Sequence, residues 1–80
     1  MSFEISEPLK RVRIEINPYL YEWDVIIKTL KEFENICEWK IEDKKNKYII
    51  ILISKEKLDL EKLGYEFMNH LLAEMKETVN

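Results

Sequence analysis

The chain has 80 residues, 13 of them basic and 16 acidic, for a formal net charge of -3; 46% are hydrophobic and 36% charged. This describes one small domain over residues 1–80, with a thin core that supplies about 3–5 kcal/mol unless a disulfide, a metal or a second subunit adds to it. The acidic balance argues against nucleic acid as a partner, no apolar run reaches the roughly 20 residues of a bilayer span, and a single cysteine excludes an internal disulfide.

Residues 9–16, LKRVRIEI, alternate. Val12, Ile14 and Ile16 point one way and Arg11, Arg13 and Glu15 the other, the signature of a strand with one face in water. Phe3 and Ile5 continue the alternation upstream, where residues 1–8 either lengthen the strand or form a loose tail. Asn17-Pro18 breaks it. A helix is predicted from about Tyr21 to Cys37, with Trp23, Ile26, Leu30, Phe33 and Cys37 on one face and Val25, Ile27 and Ile36 flanking them. EWKIE, 38–42, alternates again with Trp39 and Ile41 inward, and DKKNK, 43–47, reads as a hairpin turn.

YIIILI, 48–53, is apolar at every position. A strand wet on one face would alternate, so this one is expected at the centre of a sheet with both faces at least partly covered. The last element runs from Leu60 to about Lys76 behind Asp59 as N-cap, with Leu60, Leu63, Phe67, Leu71 and Met75 as its buried stripe. Gly64 inside it costs about 1 kcal/mol relative to Ala and leaves room for a close neighbour. Residues 77–80 are expected to fray.

The predicted fold is α+β, a βαββα two-layer sandwich. A three-stranded mixed sheet in the order 2-3-1 carries both helices on one face, and the first of those strands lies at an edge.

Few residues suggest chemistry. His70 lies about 60° from Phe67, at the boundary of the buried face, with Glu66 and Glu74 a turn away on either side. It is the one centre around which a small enzyme or a metal-binding domain would be built, and such a domain would carry metal after purification or titrate abnormally at His70. Cys37 lies on the core stripe, away from any helix N-terminus, and reads as a small buried hydrophobe. No Gly-rich phosphate loop is present, and no metal or other cofactor is expected.

The outer side of the last helix says more. Tyr65 and Leu72 lie about 160° and 140° from Phe67, with Met68 and Asn69 also outside the stripe. An aromatic, a methionine and a leucine on a side that should be polar suggest a contact surface, unless the sheet or the N-terminal segment folds over them. Arg11 and Arg13, on the wet face and near the edge of the first strand, make a second candidate contact.

LYEWDVIIKTLKEFENICEWKIE, 20–42, followed by LDLEKLGYEFMNHLLAEMKE, 58–77, resembles the D-type (HxsD-like) proteins of the His-Xaa-Ser system. Tyr21, Ile26, Phe33, Cys37, Glu66, Phe67, Asn69, Leu71 and Leu72 carry the resemblance. Ala73, Glu74, Met75 and Lys76 differ from relatives, which tend to have an aspartate followed by Leu-Arg. The resemblance implies a helper in peptide modification, encoded beside radical-SAM proteins and a repeat-bearing peptide, and it carries over no catalytic residues.

The expected function is therefore a non-catalytic accessory or protein-interaction module. Its partner is a second copy, a larger protein, or a peptide added as a strand to the sheet edge. A lone thiol suits a reducing compartment, so the cytoplasm is expected. An Ile-, Lys- and Glu-rich composition with one glycine suits a heat-tolerant protein.

Overall fold

A six-residue apolar run needs neighbours on both of its edges, and the fold supplies them. In the computed structural model, which describes residues 2–55 and 59–79, the elements are β1 (Ser2–Ser6), β2 (Arg11–Ile16), α1 (Trp23–Glu32), β3 (Cys37–Lys44), β4 (Lys47–Ser54) and α2 (Leu60–Val79). The sheet order is β1-β2-β4-β3, so the apolar strand β4 is central. Val12, Ile14 and Ile16 stand opposite Leu52, Ile50 and Tyr48, while Trp39 and Ile41 on β3 stand opposite Leu52 and Ile50. Both helices cover the face carrying these residues, where Val12, Ile14, Ile26, Leu30, Ile50, Leu52, Phe67 and Leu71 are fully buried.

The expected three-stranded sheet is a four-stranded one. Residues 2–6 pair antiparallel with β2, Phe3 opposite Ile14 and Ile5 opposite Val12, so β2 is an inner strand and not an edge. The sheet is also antiparallel throughout rather than mixed. β2 and β3 do run the same way, but β4 lies between them and opposes both. The β1–β2 turn closes through the Lys10 amide on the Glu7 carbonyl (3.1 Å), with Lys10 in the left-handed region at φ 52°.

α1 is shorter than its periodicity predicts. It ends at Glu32, and residues 33–36 form a turn. The reason is local: Cys37 N–H donates to the Phe33 carbonyl at 3.0 Å, the same i to i−4 bond that a helix makes, so Phe33 and Cys37 keep helical spacing without a helix. Cys37 is then free to start β3 opposite Ser54. Trp23, placed on the buried stripe by its spacing, sits at the first turn of α1, 37% exposed, its ring edge-on to Tyr48 at 5.2 Å. At the far end of the molecule Lys55 ties the turn down, donating from Nζ to the Glu34 carbonyl at 2.7 Å.

α2 starts where Asp59 predicts. The Asp59 carboxylate accepts from Lys62 N–H at 3.2 Å, and its carbonyl from Leu63 N–H at 2.9 Å. The helix runs through Val79, past the expected end at Lys76; of the segment expected to fray, residue 80 lies outside the described residues. The two helices run antiparallel, Lys28 pairing with Glu74 at 2.8 Å and Phe33 meeting Phe67 edge-on at 5.5 Å.

Gly64 faces β1. A Cβ built there would fall within the Phe3 ring, and that ring also stacks on Tyr65 with centroids 5.6 Å apart. The missing side chain therefore seats the fourth strand. Gly64→Ala is expected to destabilise the natural chain by about 1–2 kcal/mol, because the ring must move. In a Phe3→Ala background the same change should stabilise by up to about 1 kcal/mol through helix propensity. Urea unfolding of the four variants measures both; equal signs in the two backgrounds would show that Phe3 does not pack on Gly64.

Candidate functional site

Strand parity divides the sheet into two unlike faces. The even residues of β2 and β4 point at the helices; the odd ones point the other way, together with the even residues of β1 and β3. The second face carries no helix. Register arranges it in rows across β2, β4 and β3: Arg11, Ile53, Glu38; then Arg13, Ile51, Lys40; then Glu15, Ile49, Glu42; and finally Lys47 on β4 beside Lys44 on β3. Glu4 of β1 adds a carboxylate next to Arg13. An isoleucine stripe thus runs down the middle between charged columns.

The twist of the sheet makes this face a shallow trough of about 400 Å³, lined by Ile49, Ile51, Ile53, Arg11, Arg13, Lys40, Glu42 and Lys44. Ile49 is 6% exposed, while Ile51 and Ile53 are half-buried. The long charged side chains lay their apolar stems beside the stripe and hold their ends in water.

Those ends pair along and across the strands. Arg13 reaches Glu15 at 2.8 Å, Lys47 reaches the same carboxylate oxygen at 3.3 Å, and Lys44 reaches Glu42 at 3.0 Å. The Arg13 hydrogen bond, then that of Lys47, holds Glu15 below the ordinary carboxylate value of 4.5, and Lys44 does the same for Glu42. A depressed carboxylate stabilises the fold above its unfolded pKa and loses that contribution as pH falls through the folded one. The two ion-paired carboxylates therefore lose these partners only as pH falls through their depressed values. Arg13 and Glu15 are part-buried, while Lys44 and Glu42 are exposed, so the pairs serve arrangement more than stability.

The remaining residues singled out by sequence fall elsewhere. Met68 is 6% exposed and belongs to the core, not to an outer patch. It lies one helical turn beyond Gly64 on the side that β1 covers, so the fourth strand widened the buried arc of α2. Tyr65 is 60% exposed but stacked on Phe3. Asn69 and Leu72 stay exposed. The expected patch is thus split, its N-terminal part lying under the N-terminal strand. Arg11 and Arg13 are brought together on the open face rather than at an edge.

His70 is exposed and meets the Phe33 ring edge-on at 5.1 Å, so the imidazole caps the aromatic contact between the helices. Glu74, on the next turn, is engaged by Lys28, which holds its carboxyl below the ordinary range. Cys37 is buried, its Sγ–H directed at the Phe33 carbonyl at 3.5 Å, and burial pushes its thiol pKa up. Among the described residues no three His, Cys, Asp or Glu side chains gather to hold a metal ion.

Two surfaces escaped the sequence. The unbroken apolar run predicts at least partial cover on both faces; helices supply it on one, and on the other Ile49, Ile51 and Ile53 have only their sheet neighbours, a distinction the run itself does not carry. Tyr19 and Leu20, 91% and 66% exposed, project from the turn that Asn17 sets by accepting from Tyr19 N–H at 2.9 Å. The signal was an Asn-Pro break followed at once by apolar residues.

The fold and its open face define a small α+β two-layer sandwich whose most developed surface is a sheet face. The chain belongs to the family described as His-Xaa-Ser system protein HxsD, whose model matches residues 16–76, about three quarters of the 80 residues. That span takes in α1, β3, β4 and most of α2. Comparison with curated proteins and with solved structures gives no match. No described helix is long and apolar enough to cross a membrane.

The state of Cys37 is directly measurable. Buried and with a raised pKa, it should resist alkylation in the native protein and react at the rate of a free thiol in denaturant. Rapid native labelling at neutral pH would show an accessible thiolate there.

Proposed function

We propose that this protein is a non-catalytic accessory module of the His-Xaa-Ser system that works by docking another protein chain on the open face of its sheet. The observation that carries this is the isoleucine stripe of β4, Ile49 buried and Ile51 and Ile53 half-buried among charged side chains, with no described helix over it. Apolar centres with polar rims are the usual anatomy of protein contacts. Family membership supplies the setting, and the resemblance implies that the assisted process is modification of a repeat-bearing peptide.

The placement of the two reactive residue types supports a non-catalytic role. The Cys37 thiol is turned into the protein and held protonated, and His70 packs against Phe33. A nucleophile and its base need mutual access and an orienting partner, and each of these side chains is engaged in packing instead. The buried free thiol also fits a reducing, cytoplasmic setting.

The test is co-expression with the other proteins of its own His-Xaa-Ser system, followed by co-purification. The chain that docks, whether one of these proteins or a second copy, should co-elute with the tagged wild-type chain and be lost with Ile51→Glu, which puts a charge in the middle of the stripe; circular dichroism would check that the variant still folds. Co-elution equal to wild type in Ile51→Glu would remove the open face from the function. A Leu72→Glu variant that alone loses the partner would move the contact to α2.

A further inference from the structure

We propose that the chain seated on the open face is a second copy, related by a two-fold axis that lies in the interface and crosses the strands at the level of Ile50. This rests on reading the face as the docking surface. The observation that selects the occupant is the order of the charges. Arg13 and Lys40 form one row, and Glu15 and Glu42 form the next.

A two-fold axis running across the strands, midway between these rows, exchanges them. Each basic row then lies over the acidic row of the other copy, Arg13 over Glu15 and Lys40 over Glu42. In the next row out Glu38 comes to lie over Lys44, and Ile53 over the stem of Lys47. In the centre, Ile51 of each copy meets Ile49 of the other. An axis parallel to the strands would instead set basic row on basic row and acidic row on acidic row. The banding therefore admits one two-fold arrangement and opposes the other. It is an aligned sheet-on-sheet packing, in which the side chains of two twisted faces interdigitate.

The near balance of the face also fits a copy of itself. It carries five cations, Arg11, Arg13, Lys40, Lys44 and Lys47, against four carboxylates, Glu4, Glu15, Glu38 and Glu42. A polyanion or an acidic peptide would meet repelling carboxylates in alternate rows.

Area sets the strength. Four strands about 4.8 Å apart and five to eight residues long at about 3.3 Å each give a face of roughly 450 Å² per copy. Two such faces bury about 900 Å² before the relief of the side chains is counted, close to the ~1,000 Å² that separates specific contacts from incidental ones. An interface of this size is on the small side for a specific contact, so the dimer should be concentration-dependent.

Two charge sets test the geometry. In the first, Arg13→Glu and Lys40→Glu make both central rows acidic; in the second, Glu15→Lys and Glu42→Lys make both basic. All four positions are on the outer face, and circular dichroism and melting confirm folding of each set. Sedimentation across a concentration series should give a wild-type dimer, self-association at least about tenfold weaker in either set alone, and a heterodimer when the two sets are mixed. A wild-type chain that stays monomeric overturns the proposal, as does a dimer that neither set weakens. If wild type is monomeric while Ile51→Glu still abolishes capture of a co-expressed partner, the second copy is wrong and the docking face stands. If the charge sets behave as expected while Ile51→Glu leaves partner capture intact, the dimer stands and the docking reading for that partner falls.

Discussion

A strand that is apolar on both faces needs cover on both, and β4 receives a helical layer on one. This constraint organises the molecule. On the inner side Ile50 and Leu52 are fully buried beneath α1 and α2 and flanked by Ile14 and Val12. On the outer side Ile49, Ile51 and Ile53 have only the stems of their charged neighbours. The two described helices both lie over the inner face, so among the described residues the outer isoleucines are covered by side chains of the sheet alone.

The N-terminal strand answers a related problem at the edge. Without β1, β2 would present its unpaired backbone groups and one side of α2 would be bare. With it, Phe3 fills the notch left by Gly64 and stacks on Tyr65. Two features that read separately in the sequence, an unexplained glycine in a helix and a possible tail with alternating residues, are the two halves of one contact.

Much of the fold was legible. The alternation of Val12, Ile14 and Ile16, the unbroken run of 48–53 and the stripe of Leu63, Phe67 and Leu71 gave the order β2-β4-β3 and the side on which the helices lie. The resemblance, carried by core positions such as Phe33 and Leu71, pointed to the family. What was not legible depended on long-range pairing. Residues 2–6 are too short a run to distinguish strand from tail until β2 is there to receive them, and Met68, outside the main stripe by spacing, is buried in the core. Cys37 kept helical spacing while leaving the helix, because its bond to the Phe33 carbonyl is the same in both. The charged rows are invisible along the chain, since Arg13 and Lys40 become neighbours only through register.

The most direct measurement is an isotope-filtered nuclear Overhauser experiment on a sample mixed from labelled and unlabelled chains, observing isoleucine methyls. Crossed two-fold packing predicts intermolecular contacts between Ile51 of one copy and Ile49 of the other. Intermolecular contacts confined to Leu72 and Tyr65, or none at concentrations where the chain is dimeric, would contradict it.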